Sequence, residues 1–273
     1  MFRRSHHGAR SWGWVDMMIS QGTVIVTGAT RGIGRATVDA ILERGGKVVA
    51  IARDVQALSA LEASSAKRIR AVTADLADVS RVPGAAKRAI QAFGRADGLI
   101  NCAGIARYEP VGAITIDSIE AQMRVNFVAP LLLSQALAAH LRGRAGAIVN
   151  VSSTLSERVA QSTVAYAATK AALNALTKGL ALELAPAGIR VNAVLPGGVE
   201  TDMLRSPRLR PGESLSEAEL DDRVASQLAA LAALHPLGRL GTPQEVAAVI
   251  VSVLDRAWQT GSLVTIDGGL SLA

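Results

Sequence analysis

The chain is predicted to be α/β: a doubly wound, seven-stranded parallel sheet with helices on both faces, forming a single domain. Three observations predict this. Short β-branched runs alternate with helix-length segments from residue 23 to the end, as repeated strand–helix–strand crossovers require. The strand candidates are apolar throughout rather than alternating, as strands covered on both faces must be. At 273 residues the chain is long enough for a sizeable core, and no linker splits off a second domain.

The elements follow in order. Thr-Val-Ile-Val-Thr at 23–27 is the first strand, and a glycine turn leads into a helix that ends at Gly45-Gly46. Lys-Val-Val-Ala-Ile at 47–51 is the second strand. A helix over 54–64, a strand over 69–73, a helix over 79–93 and a strand over 98–101 follow. The periodicity predicts one long helix over 117–141, with Pro130 as a kink. Ala-Ile-Val-Asn-Val at 147–151 is the fifth strand, 163–185 a helix, and Val-Asn-Ala-Val-Leu at 191–195 the sixth strand. The Arg/Pro/Gly/Ser content of 204–216 marks a loop. Helices near 217–233 and 243–255 and a strand at 263–266 complete the pattern.

Residues 1–20 carry no periodic pattern, no apolar stretch of signal-peptide length and no cleavage pattern. A disordered extension is expected there, with the ordered domain at 21–273. Met17 and Met18 stand where a chain of this kind can begin. Apolar residues make up 49% and aromatics 3%, so Ala, Val, Leu and Ile must build the core. No apolar run reaches membrane-spanning length. The single cysteine, Cys102, allows no intrachain disulfide and fits a reducing, cytoplasmic setting. The net charge of +6 raises the question of nucleic acid. Residues 1–18 hold +2 of it, and the rest is interspersed with acids, without a basic stripe or aromatic platform. No nucleic-acid, membrane or metal partner is expected.

The glycine turn reads Thr27-Gly28-x-x-x-Gly32-x-Gly34. It follows a buried strand and opens a helix, where free N–H groups and the positive dipole end can hold a pyrophosphate. An acid at the end of the second strand would bind a ribose 2′-hydroxyl. Ala52 and then Arg53 stand there, and Arg31 lies inside the turn. Two guanidinium groups suit a 2′-phosphate, which favours NADP(H) over NAD(H). Asp54, one place later, argues the other way.

Tyr166 and Lys170 are four apart in a helical run and share one face. Alone, they read either as a surface pair or as a phenol tuned by a cation. A phenol titrates near ~10, and a catalytic role near neutral pH needs a fall of roughly 3 units, about 4 kcal/mol. A neighbouring ammonium gives a shift of that sign.

Together the glycine turn, Asp75-Leu76, Asn101-Cys102-Ala103-Gly104, Asn126, Ser153, Tyr166-x-x-x-Lys170, Pro196-Gly197, Thr201 and Asp267-Gly268-Gly269 resemble the short-chain dehydrogenase/reductase family in its single-domain, Rossmann-type form. The resemblance runs from residue 21 to 270, and Ser153 precedes Tyr166 by the family's usual 13 positions. It implies reversible carbonyl reduction or secondary-alcohol oxidation by hydride transfer, on a small-molecule substrate. Tyr166 would be the general acid and base, and Lys170 would lower its pKa and hold the nicotinamide ribose. Ser153 would bind the substrate oxygen, and Asn126 would hold a water relaying protons to Lys170. Gly28, Thr30, Arg31, Gly32, Ile33, Gly34 and Arg53 would bind the phosphates and ribose, with Asp75 and Leu76 beside the adenine. Asn101, Ala103 and Gly104 would flank the cofactor, and Pro196, Gly197, Val199 and Thr201 would border the nicotinamide. The resemblance further implies a homo-oligomer, tetramer or dimer, and a substrate lid over 203–236.

Cys102 departs from the family's second asparagine and reads as a small packed residue. Ala187, before Gly188, stands where 3-oxoacyl carrier-protein reductases carry a basic residue, so that branch is an alternative. Arg142 and Arg144 partly compensate for it. Another alternative is an NADP(H)-binding regulatory protein without turnover. Arg205, Arg208 and Arg210 on the lid read as solvated charges or as contacts to an anionic substrate. His235 reads as a hinge or surface residue.

Overall fold

The computed structural model describes residues 17–209 and 213–273. Seven strands form one parallel sheet in the order β3-β2-β1-β4-β5-β6-β7. They are β1 Thr23–Thr27, β2 Lys47–Ala52, β3 Ile69–Thr73, β4 Gly98–Asn101, β5 Ala147–Val151, β6 Arg190–Pro196 and β7 Leu263–Ile266. The order reverses between β1 and β4, and at such a switch point the carboxyl ends of the strands open a crevice.

Strand alternation divides the core. Val24 and Val26 of β1 point to one face, packing with Val38 and Ile41 of α2 (Gly32–Glu43), Leu58 and Leu61 of α3 (Val55–Ser64) and Val246 and Ile250 of α10 (Pro243–Asp255). Ile25, between them, points to the other face. There it joins Ala85 and Ala89 of α4 (Val82–Phe93), Leu133 and Leu137 of α6 (Ala129–Leu141) and Ala181 of α7 (Val164–Leu184). Apolar strands and Ala-rich helix faces thus account for nearly all of both layers, with Phe93 of α4 packed at the edge of the second. The remaining helices are α1 Met17–Ser20, α5 Ile116–Met123, α8 Asp202–Arg205 and α9 Glu217–Ala233.

Two expectations need correction. The ordered domain begins before residue 21: Met17–Ser20 form a helical turn, and Ile19, 1% exposed, is part of the core. That one buried isoleucine lies in a segment without periodicity, so the pattern did not reveal it. The rest of the predicted N-terminal extension lies outside the described residues. The predicted long helix is also interrupted just before Pro130. A π-helical turn over Arg124–Val128 joins α5 to α6, with the Ala129 N–H donating to the Arg124 carbonyl five residues back. Proline has no N–H and its ring crowds the carbonyl four residues earlier, here that of Asn126. A widened turn accommodates it and carries Asn126 on the π segment.

Candidate active site

The site is built where β1, β4, β5 and β6 end. The glycine turn after β1 is packed too closely for side chains at two of its positions. Gly28 has φ +66°, and a Cβ there would sit 2.9 Å from the Ala103 Cα. A Cβ on Gly34 would lie 2.1 Å from the Gly28 carbonyl oxygen. Gly28 and Gly34 therefore admit no side chain, which lets the backbone turn tightly there. The turn opens α2, whose Ncap Arg31 makes no side-chain capping bond and whose first turn has no acid. The first N–H groups of α2 are left for an anion. Thr30 and Ile33 complete the turn. Thr201 closes on it from the β6 side, with its Cγ2 3.2 Å from where a Gly32 Cβ would be. These residues fit a dinucleotide pyrophosphate.

Thr27 ties this turn to the next strand end. Its hydroxyl accepts from the N–H groups of Cys102 and Ala103, both at 3.0 Å. Asn101, at the end of β4, donates to Asn150 at 2.8 Å, and Asn150 donates to Thr177 of α7 at 2.9 Å. A buried polar chain thus fixes β4 and β5 to the tyrosine helix.

Asn126, Ser153, Tyr166 and Lys170 lie together, contributed by three elements: the π turn, the segment after β5, and α7. All are buried, at 0%, 9%, 7% and 4% exposure respectively. The Asn126 amide accepts from Ile105 N–H at 2.9 Å and donates to the Ile105 carbonyl and to Thr169. Its Oδ1 and the Lys170 Nζ lie 3.4 and 3.5 Å from the same point, a Cβ position on Gly104. Lys170 Nζ donates to the Val151 carbonyl at 2.9 Å and lies 5.7 Å from the Tyr166 ring centroid. The Ser153 side chain faces the Tyr166 phenol and lowers its pKa.

The electrostatics correct the expectation drawn from the sequence. Burial dominates and pushes the Tyr166 phenol up; the nearby Tyr108 adds to this, and Ser153 only partly opposes it. Burial also pulls the Lys170 ammonium down to about 8. Removing both groups from water disfavours both charged forms, and at 5.7 Å the ammonium does not overturn that. The Cys102 thiol, pushed up to about 12 by burial, is a protonated packing group.

The remaining predicted residues are placed as follows. Arg53 is exposed just past β2, and Asp54 beside it caps α3 by accepting from Ala57 N–H at 2.9 Å. Arg31 pairs with Asp202 at 3.4 Å, with both side chains largely exposed. Asp75 is exposed and accepts from Ala77 N–H, while Leu76 is buried. Pro196 ends β6, and Gly197 and Val199 follow beside Asp267 and Gly241.

His235 is not a surface residue. It is 3% exposed. Its Nδ1 lies 2.8 Å from the Leu231 carbonyl, and its Nε2 accepts from Gly198 N–H at 3.0 Å. It therefore holds the loop after β6 onto the end of α9. The sequence reading also missed Tyr108, whose ring lies 6.5 Å from that of Tyr166. Tyr108 sits in a patternless loop, and only tertiary packing brings it there.

A nicotinamide-type fold with a buried Ser–Tyr–Lys set at the carboxyl edge defines an oxidoreductase. Residues 22–211 match the short chain dehydrogenase family. The human L-xylulose reductase is 36% identical over 259 residues, 93% of this chain and 98% of that protein. The ligand-free aldohexose dehydrogenase of Thermoplasma acidophilum superposes with a TM-score of 0.81 at 27% identity, covering 93% of this chain and 96% of that one. A blue fluorescent protein from a metagenomic library, in complex with NADPH, gives 0.78 at 32% identity, with 92% and 98% covered. This chain belongs to the short-chain dehydrogenase/reductase family, enzymes acting between CH–OH and C=O. Among the described residues, no helix is long and apolar enough to cross a membrane, and no cluster of His, Cys, Asp and Glu could hold a metal ion.

Proposed function

We propose that the chain reduces a small-molecule carbonyl with NADPH, and oxidises the corresponding secondary alcohol in reverse, with Tyr166 as general acid and base. The observation carrying this reading is the burial of Ser153, Tyr166 and Lys170 together at the carboxyl edge of the sheet, with the Lys170 Nζ 5.7 Å from the Tyr166 ring centroid. The bound nicotinamide supplies or accepts the hydride. The chain must then orient the carbonyl, stabilise its oxygen and move a proton. Ser153 donates to the substrate oxygen, and Tyr166 delivers its phenolic proton to that oxygen. The raised phenol keeps this proton available for reduction. Lys170, anchored on Val151, faces the nicotinamide ribose, and Asn126, whose Oδ1 lies beside Gly104 as the Lys170 Nζ does, is its link in the relay to solvent.

NADP(H) is the preferred cofactor and NAD(H) the poorer one. Asp54 is committed to capping α3, which leaves Arg53 at the ribose end of β2. Arg31 gives up only a surface pair with Asp202, worth ~0–1 kcal/mol. The relatives' names point to ketoses as the first substrates to try, under a lid formed by 203–236. The chain is further proposed to act as a homo-oligomer, which size exclusion with light scattering would check against a monomer.

The test follows NADPH oxidation driven by L-xylulose and related ketones. Tyr166→Phe lowers kcat by roughly 10²–10⁴-fold, and retention of full activity refutes the mechanism. Arg53→Ala raises the KM for NADPH by about 10-fold, the worth of one charge-assisted contact, and leaves that for NADH unchanged. A wild-type preference for NADH refutes the arginine argument.

A further inference from the structure

We infer that Arg208 is a specificity-determining residue that selects carbonyl substrates bearing a carboxylate; this rests on the carbonyl-reductase reading above. Of the lid arginines, Arg205 faces Glu200 at 3.9 Å and Arg210 lies outside the described residues. Arg208 differs. Its guanidinium stacks on the Tyr108 ring, 3.9 Å from Cζ to the centroid, and the Tyr108 ring lies 6.5 Å from that of Tyr166. A cation is thus held a short carbon chain away from the proposed proton donor.

The position is built rather than incidental. Arg208 N–H donates to the Gln227 side chain at 3.2 Å, and Gln227 donates onward to the Leu204 carbonyl at 2.8 Å. The Arg208 carbonyl accepts from Arg223, itself paired with Glu213 at 2.7 Å. Two side chains of α9 therefore fix the backbone on both sides of the Arg208 side chain.

The guanidinium itself makes no hydrogen bond or ion pair to any described residue, and its Nε is buried without a partner. The acids of this region are engaged elsewhere: Glu213 by Arg223, Glu200 by Arg205 and Asp202 by Arg31. A buried donor without an acceptor needs an explanation. Stacking satisfies the face of the guanidinium but leaves its edge, a planar fork matched to a carboxylate. A ligand with a carbonyl at Tyr166 and a carboxylate further along its chain would complete the fork.

The experiment compares 4-oxopentanoate and 5-oxohexanoate with their methyl esters, each with NADPH, in wild type, Arg208→Met and Arg208→Lys. The acids should exceed their esters in kcat/KM by about 10- to 100-fold in wild type. Arg208→Met should collapse that ratio, and Arg208→Lys should restore part of it. A general loosening of the lid would instead lower acid and ester alike. Calorimetry with 4-hydroxypentanoate and NADP+ gives a readout without turnover: wild type should bind it at least 10-fold more tightly than Arg208→Met. Equal use of acid and ester by wild type overturns the inference while the reductase reading stands. If wild type reduces no carbonyl compound, the reductase reading fails and the inference with it.

Discussion

Lys170 should cost the fold stability, and replacing it should show this. Burial pulls its ammonium from 10.5 to about 8. At neutral pH the folded chain therefore carries a penalty of about 3 kcal/mol, at 1.36 kcal/mol per unit. In Lys170→Met the aliphatic stem still packs, but the Val151 carbonyl loses its donor, at a cost of about 1 kcal/mol. The net expectation at pH 7, without cofactor, is a gain of about 2 kcal/mol and a rise in Tm of roughly 4–8 °C for a chain of this size. The sign reverses with pH. Below 8 both states hold the proton, and the penalty is constant. Between 8 and 10.5 the unfolded chain holds a proton that the fold has released, so rising pH stabilises the wild type. The advantage of Lys170→Met should therefore shrink through that window. Urea unfolding of both proteins at pH 7 and pH 10 measures it. A less stable variant at pH 7, or a difference that does not change with pH, refutes the reasoning.

Gly34→Ala forces a Cβ into the Gly28 carbonyl, 2.1 Å away. Backbone must move, at about 1–3 kcal/mol, and NADP+ affinity should fall at least 10-fold by calorimetry; unchanged affinity counts against the cradle. His235→Ala orphans the Gly198 N–H, at about 1–3 kcal/mol in denaturant unfolding. His235→Gln, which can restore an acceptor, should recover part of that loss, and a neutral His235→Ala would mean the loop is held by other contacts.

The sheet was legible because burying a parallel strand on both faces demands continuous β-branched runs, and Thr23–Thr27 or Ala147–Val151 can satisfy little else. The proposed Tyr166–Lys170 pair was legible because spacing along α7 is fixed by helix geometry. What escaped depends on contacts across the fold. Pro130 announced a break, but not the π turn that accommodates it, in which Asn126 is bonded to Ile105 and Thr169. His235 beside a proline looks like a loop residue until Gly198 meets its ring. Tyr108 and Arg208 are 100 positions apart in sequence, and no local pattern couples them.

The same distinction governs the chemistry. Helix spacing puts Tyr166 and Lys170 on one face, but proximity alone does not make the phenol acidic. Their environment withdraws water from both, so the phenol rises while the ammonium falls. The chain alone thus keeps Tyr166 protonated and makes Lys170 a weaker acceptor of charge than in water. That state serves proton donation to a developing alkoxide, which is more basic than any phenolate. The reverse direction requires a phenolate, and only added positive charge can stabilise one in this pocket. An oxidised nicotinamide carries such a charge. On the proposed mechanism, cofactor oxidation state and the proton affinity of Tyr166 would be coupled through the low dielectric that burial creates, and that coupling would be lost if the pair lay on the surface.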